Sequence, residues 1–201
     1  MRCTSHQCTR RMPRGGPDAR ARLVAAALEL FSERGYGGST VTEIADRAGL
    51  SRATFFRYFP DKDDVLAAGQ DALSRLLADG IAEAPVDATP LAAVRAGLER
   101  AASSMTPFHR ELGPGLITVI AGNPELQARN AAKSAGFTAA MAIALRERGV
   151  SEPLAAVAAG LGGLAFTQAY AAWIAGGDDL DRAELVRTAL DQLHRATAEL
   201  D

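Results

Sequence analysis

The chain has 201 residues, 48% of them hydrophobic and 23% charged, with two cysteines and a formal net charge of -2. That length buries a core without staples, and the composition excludes disordered, collagenous and disulfide-scaffolded proteins, leaving a soluble, globular, intracellular one as the expectation. Aromatic residues make up only 5%, while apolar residues recur at spacings of three and four, so the expected fold class is all-α with about nine helices. The near-neutral total hides an asymmetry: ten Lys/Arg stand against five Asp/Glu in residues 1–60, and twelve against nineteen in 61–201. A basic segment joined to an acidic body points to a polyanion as the partner of the first.

Residues 1–16, MRCTSHQCTRRMPRGG, contain four arginines, two glycines and a proline without hydrophobic periodicity. They read as a disordered basic arm, unable to bury enough surface to offset the entropy of ordering. No apolar run follows the arginines, so the arm is not a secretory signal. Cys3, His6 and Cys8 form an incomplete zinc set, since a closed structural site needs four ligands. No metal or other cofactor is expected.

From Asp18 the apolar residues Leu23, Ala26, Ala27, Leu30 and Phe31 trace one helical stripe, and Gly35 supplies a left-handed stop, giving a helix over about 18–34. Thr40-Val41-Thr42-Glu43 is a capping box that opens a second helix with Val41, Ile44, Ala45 and Ala48 on its buried face. Gly49-Leu50 breaks it after barely two turns, and Ser51 caps a third helix running from Arg52 to Phe59. Two short helices about a tight glycine turn are the helix-turn-helix arrangement, whose second helix enters the DNA major groove. At about 100° per residue, Phe55 and Phe59 share the core face, while Ala53 with Arg57 and Thr54 with Tyr58 form columns pointing away. Arginine suits guanine edges and phosphates, and the hydroxyls suit phosphate oxygens. Pro60 stops this helix and Asp61 caps the next, where Lys62 is unfavourable against the helix dipole unless a phosphate sits beside it.

The ordered set Arg20, Ala26-Ala27, Leu30-Phe31, Gly35, Thr40-Val41, Ile44-Ala45, Ala48-Gly49-Leu50-Ser51, Thr54-Phe55-Phe56, Tyr58-Phe59 and Asp61-Lys62 resembles the DNA-binding region of the TetR family of bacterial transcriptional repressors. The resemblance covers about residues 19–69. It implies that Thr40, Thr54, Tyr58 and Lys62 fix phosphates while Thr42, Arg52, Ala53 and Arg57 approach bases. Phe56 departs from the family pattern, which commonly has tyrosine there. Its ring is left either to touch a thymine methyl or to pack.

The domain expectation is a basic arm at 1–16, a DNA-binding domain at 17–64 and a ligand-binding and dimerisation domain at 65–201. In the last, the helix begun at Asp61 continues through Val65, Leu73, Leu76 and Leu77 to Gly80, and Pro85 breaks the chain. Further helices open at Thr89-Pro90, Pro107, Asn123-Pro124-Glu125 and Ser151-Glu152-Pro153, and a final one spans about 179–200. Residues 153–177 carry no charge. Their alanine and glycine content makes a buried soluble helix the preferred reading over a membrane span. Leu185, Ala189, Leu193 and Ala196 form a helix-packing seam, and 152–176 with 179–200 are the expected dimer surface, which the family resemblance also implies.

Leu112, Leu116, Ile117, Ile120, Phe137, Met141, Leu164, Phe166, Tyr170 and Trp173 are candidates to line an apolar effector cavity, with His109, Arg110, Asn130, Lys133 and Gln168 as polar contacts. Asn123-Pro124-Glu125-Leu126 and Trp173 resemble a TetR subgroup associated with acyl-CoA-like ligands. An enzyme is disfavoured, because no Gly-rich phosphate loop follows a strand and only His109 and His194 offer near-neutral bases in the body. The expectation is a cytoplasmic homodimeric repressor on an inverted-repeat operator, released by a hydrophobic small molecule that alters recognition-helix spacing.

Overall fold

A computed structural model describes residues 17–66, 70–105, 107–176 and 180–200. The arm at 1–16, with Cys3, His6 and Cys8, lies outside them. The described residues form helices and connections with no strand, and the chain divides into two compact units, up to Leu66 and from Ala67 onward.

The first unit contains α1 (Pro17–Arg34), α2 (Val41–Arg47), α3 (Arg52–Tyr58) and α4 (Asp63–Leu66). Its core is the apolar stripe of α1, Leu23, Ala27, Leu30 and Phe31, closed by Ile44 and Ala45 of α2 and by Phe55 and Phe59, all nearly or fully buried. Gly35 and Gly49 turn the chain with φ of 75° and 63°, the left-handed region that a side chain disfavours. The α2 to α3 turn is further closed by Arg22, which donates to the Ala48 carbonyl.

The second unit contains α5 (Gln70–Ala82), α6 (Pro90–Ser103), α7 (Pro107–Ala121), α8 (Pro124–Glu147), α9 (Glu152–Ala175) and α10 (Arg182–Thr197). Helix α5 packs on α6 and α8, α9 lies against α6, α7, α8 and α10, and α10 also covers α6. Thr89 and Asn123 cap α6 and α8 as their Thr-Pro and Asn-Pro openings lead one to expect. The exposed carbonyls at the end of α5 are gathered by one side chain. Arg148, just past α8, donates to Ile81, Ala82 and Ala84 at 3.1, 3.2 and 2.8 Å and to Pro85 at 2.5 Å, placing a cation at the negative end of the α5 dipole.

The stretch of the expected fourth helix at 67–69 lies outside the described residues, and the described parts on either side are α4 and α5. One boundary differs from expectation. The last helix begins at Arg182 rather than 179, because the Asp181 carboxylate accepts from the Ala183 amide and fixes the first turn there.

Helix α9 is long and apolar enough to cross a membrane by length and composition alone. It sits among four other helices, with Ala155, Ala158, Ala159, Gly162, Ala165, Ala169 and Trp173 buried. Its small residues permit close approach: a Cβ added at Gly162 would lie 2.6 Å from Val94 Cγ1 and 3.1 Å from Met141 Sδ. The larger Leu154, Val157 and Leu164 are half exposed or more. Helices α5 and α6 cross as tightly, since a Cβ at Gly97 would stand 2.6 Å from the Leu77 carbonyl oxygen, whereas one at Gly115 meets nothing. Gly97→Ala is therefore expected to cost about 1–3 kcal/mol by overpacking against backbone, while Gly115→Ala gains up to about 1 kcal/mol from helix propensity. Urea unfolding of the two variants checks the opposite signs.

Candidate functional site

Helix α3 is two-faced. Phe55 is fully buried and Phe59 nearly so, their rings 5.7 Å apart, and this anchors one side in the core. Arg52, Ala53, Phe56 and Arg57 are consequently exposed, with Thr54 and Tyr58 half-buried between the two faces. Ser51 starts the helix by accepting from the Thr54 amide at 3.1 Å, and its hydroxyl lies 2.9 Å from that of Thr54.

The commitments of the cations separate the arginines of this unit. Arg34 pairs with Glu43 at 2.9 Å, and Arg47 with Glu33 at 2.8 Å and Glu29 at 3.3 Å. Arg22 is spent on the Ala48 carbonyl. By contrast Arg20, Arg52 and Arg57 rest on the rings of Phe59, Phe56 and Tyr58, with guanidinium carbons 5.4, 5.3 and 5.1 Å from the centroids. Stacking leaves the in-plane N–H donors of an arginine available to another acceptor. Among the described residues these three have no carboxylate or carbonyl partner. Arg20 was legible only as an element of the family resemblance, because its stacking on Phe59 depends on tertiary placement.

The expected phosphate contacts divide differently. Thr40 is the N-cap of α2: its hydroxyl donates to Glu43 Oε2 at 2.8 Å and accepts from the Glu43 amide at 3.3 Å, while Glu43 Oε2 accepts from the Thr40 amide at 2.9 Å. Thr40 and Thr54 therefore serve the helix ends in this conformation, and Thr42 is exposed beside the first. Lys62 is spent on the fold. Its Nζ donates to the carbonyls of Tyr36 and Ser39 at 3.0 and 3.1 Å and lies 4.2 Å from the centroid of the Tyr36 ring. The dipole penalty that pointed to a phosphate is offset by these carbonyls, which tie the turn after α1 to the start of α4.

Hydrogen bonds from the Thr40 side chain and backbone, with Arg34 nearby, hold the Glu43 carboxyl below its ordinary 4.5, and a hydrogen bond from Arg47 lowers Glu33 likewise. Such depressed values contribute stability that is complete above the ordinary carboxylate range and lost as pH falls through the folded value.

In the second unit a cleft of about 10 Å³ lies between Ala102, Met105, Phe166, Ala169, Tyr170, Trp173, Arg182 and Val186. Phe166, Tyr170 and Trp173 are brought together there. Arg182 stacks on Trp173 at 5.5 Å and donates to the Ala102 carbonyl at 3.2 Å, and burial pushes the Tyr170 hydroxyl up, keeping it neutral. Phe137 and Met141 belong to the core, Phe137 meeting Phe166 edge-on at 6.1 Å. Leu116 and Ile120 are partly buried on α7, apart from the cleft lining, with Ile117 exposed. The Leu112 and His109 side chains lie outside the described set. Leu164 does not line the cleft and is 55% exposed. Asn130 and Gln168 are exposed, Arg110 donates to the Gly176 carbonyl, and burial lowers the half-buried Lys133, whose ammonium sits 5.9 Å from the Phe137 ring centroid. Ala102, Met105, Arg182 and Val186 were missed, since small or isolated residues from separate segments carry no common period. Among the described residues no group of His, Cys, Asp and Glu could hold a metal ion.

Residues 23–68 match the model for bacterial regulatory proteins of the tetR family. Over 159 residues, 70% of this chain and 70% of the relative, the sequence is 31% identical to the HTH-type transcriptional regulator EthR of Mycolicibacterium smegmatis. The HTH-type transcriptional repressor Rv3405c of Mycobacterium tuberculosis is 35% identical over 79 residues, 39% of this chain and 42% of that one. Among solved structures, the SmeT–triclosan complex shares the fold with a TM-score of 0.59 at 20% identity, over 89% of this chain and 90% of that chain. Fold and relatives together define a helix-turn-helix transcriptional regulator rather than an enzyme. The chain belongs to the tetR family.

Two outcomes follow from the geometry of the first unit. Lys62→Met is expected to lower its stability by about 2 kcal/mol, the worth of hydrogen bonds to a charged donor, as read by urea unfolding. Acidification below pH 4.5 should destabilise the wild type more than Thr40→Ala, which lacks the contact that depresses Glu43, as followed by thermal melting across a pH series.

Proposed function

We propose that this regulator is a homodimeric repressor that sets α3 of each subunit into a major groove of an inverted-repeat operator. The observation that carries the reading is the pair of arginines on the outer face of α3, Arg52 and Arg57, held on aromatic rings with no carboxylate to neutralise them. Cations kept in this way suit guanine edges and phosphates. Ala53 leaves room for the groove floor, Thr42 and Phe56 flank it, and Thr40, Thr54 and Tyr58 border the backbone. Lys62 acts from behind, through the turn it ties down. In this reading the first unit binds DNA, and the second binds the effector and pairs the subunits in the cytoplasm.

The exposed Leu154, Val157 and Leu164 support self-association through α9 together with α10, because a run of large apolar side chains along one helix marks an interaction face. The effector is a hydrophobic small molecule, including an acyl-CoA-like one. Its site is the cleft bordered by Phe166, Tyr170 and Trp173, which holds no more than about one water as it stands and so opens on binding. That SmeT of the same fold is in complex with triclosan supports an effector of this size. Release from DNA follows when the liganded dimer changes the spacing of its recognition helices from the roughly 34 Å of one helical turn.

Fluorescence anisotropy on DNA upstream of the gene, across a salt series and against scrambled DNA, tests the reading. Specific binding with a steep salt slope is expected. Arg57→Ala should weaken the preferred sequence by about 1–3 kcal/mol relative to the scrambled one. Leu164→Asp should give a monomer in sedimentation and reduce operator affinity. Equal affinity for both DNAs by the wild type, at the operator and in selection from random duplexes, would remove the proposal.

A further inference from the structure

Phe56 is a phenylalanine on the surface, 45% exposed, in a helix whose other two phenylalanines are buried. It is also held in place. Its ring meets the buried Phe55 edge-on, 5.6 Å between centroids at 82°, and Arg52 lies over it with 5.3 Å from guanidinium to ring centre. An arginine and an apolar ring are therefore presented side by side at the start of α3 as one preorganised pair.

We infer that the Arg52–Phe56 pair reads a guanine and a thymine on neighbouring base pairs, the guanidinium taking the guanine edge and the ring taking the thymine methyl. This rests on the proposed placement of α3 in the major groove. Of the groups exposed in that groove, guanine offers two acceptors to the fork of an arginine, and the thymine methyl is the apolar one. Cytosine presents a donor, which an arginine repels and a phenyl ring leaves unpaired. The separation sets the register. Base pairs rise by about 3.4 Å, so two groups 5.3 Å apart reach no further than neighbouring pairs. The cation–ring contact also holds the guanidinium beside the ring, so Phe56 both contacts its own base and positions Arg52.

The full-length protein is used to select duplexes from a random library, and the selected site is then synthesised with uracil replacing single thymines. A thymine next to a guanine in each half-site is expected, and loss of its methyl should weaken wild-type binding about fourfold, the worth of one buried carbon. Phe56→Ala should bind thymine and uracil sites equally, and Phe56→Leu should keep part of the methyl preference while accepting other bases at the guanine. Should Phe56→Ala fail to fold, the uracil series on the wild type still decides. Uracil sites bound as tightly as thymine sites, or a methyl preference that persists in Phe56→Ala, would overturn the pairing and leave DNA binding intact. No enrichment of any sequence would overturn the DNA-binding reading itself and this inference with it.

Discussion

The burial of Phe55 and Phe59 is the constraint on which the first unit depends. With these two rings packed under α1 and α2, the rotation of α3 about its own axis is fixed, and everything on its far side follows. Arg52, Phe56 and Arg57 are outward because the phenylalanines are inward. The same burial supplies Arg20 with a ring face at Phe59. An exposed face with no large pocket can thus be rigid, since its geometry is inherited from a core directly beneath it.

Charge in this unit is sorted by distance from that surface. Arg34 and Arg47 meet glutamates on α1 and α2, Arg22 and Lys62 meet carbonyls at two turns, and the cations of α3 meet only rings. Net positive charge alone would not have distinguished these roles. Exposed ion pairs contribute little to stability, but they neutralise arginines that would otherwise compete for a polyanion from the wrong side.

Much of this was legible in the sequence, and the reasons are local. Thr40 and Glu43 are three residues apart, so their capping box follows from helix geometry alone, as do the Ser51 cap and the shared face of Phe55 and Phe59. The carbonyl partners of Lys62, on Tyr36 and Ser39, were not legible because they lie 26 and 23 residues away and reach it only through the fold. Helix α9 failed for another reason. A segment apolar on every side has no period to mark its inner face, so bulk alone did not separate the exposed Leu164 from the buried Trp173. The cleft draws on α6, α9 and α10 and the Met105 connection, a convergence that no single window contains.

The inverted arrangement of α9 also bears on how the sequence can drift. Positions such as Gly162, where the core already presses on the backbone, accept essentially no growth. Leu154, Val157 and Leu164 have no such limit within their own subunit and can exchange freely among apolar residues of different size. If α9 pairs the subunits as proposed, specificity for one partner over a paralogous one can evolve along this ridge while the packing beneath it stays unchanged, so that a bacterium with many such regulators can keep their subunits from mixing by altering a few side chains.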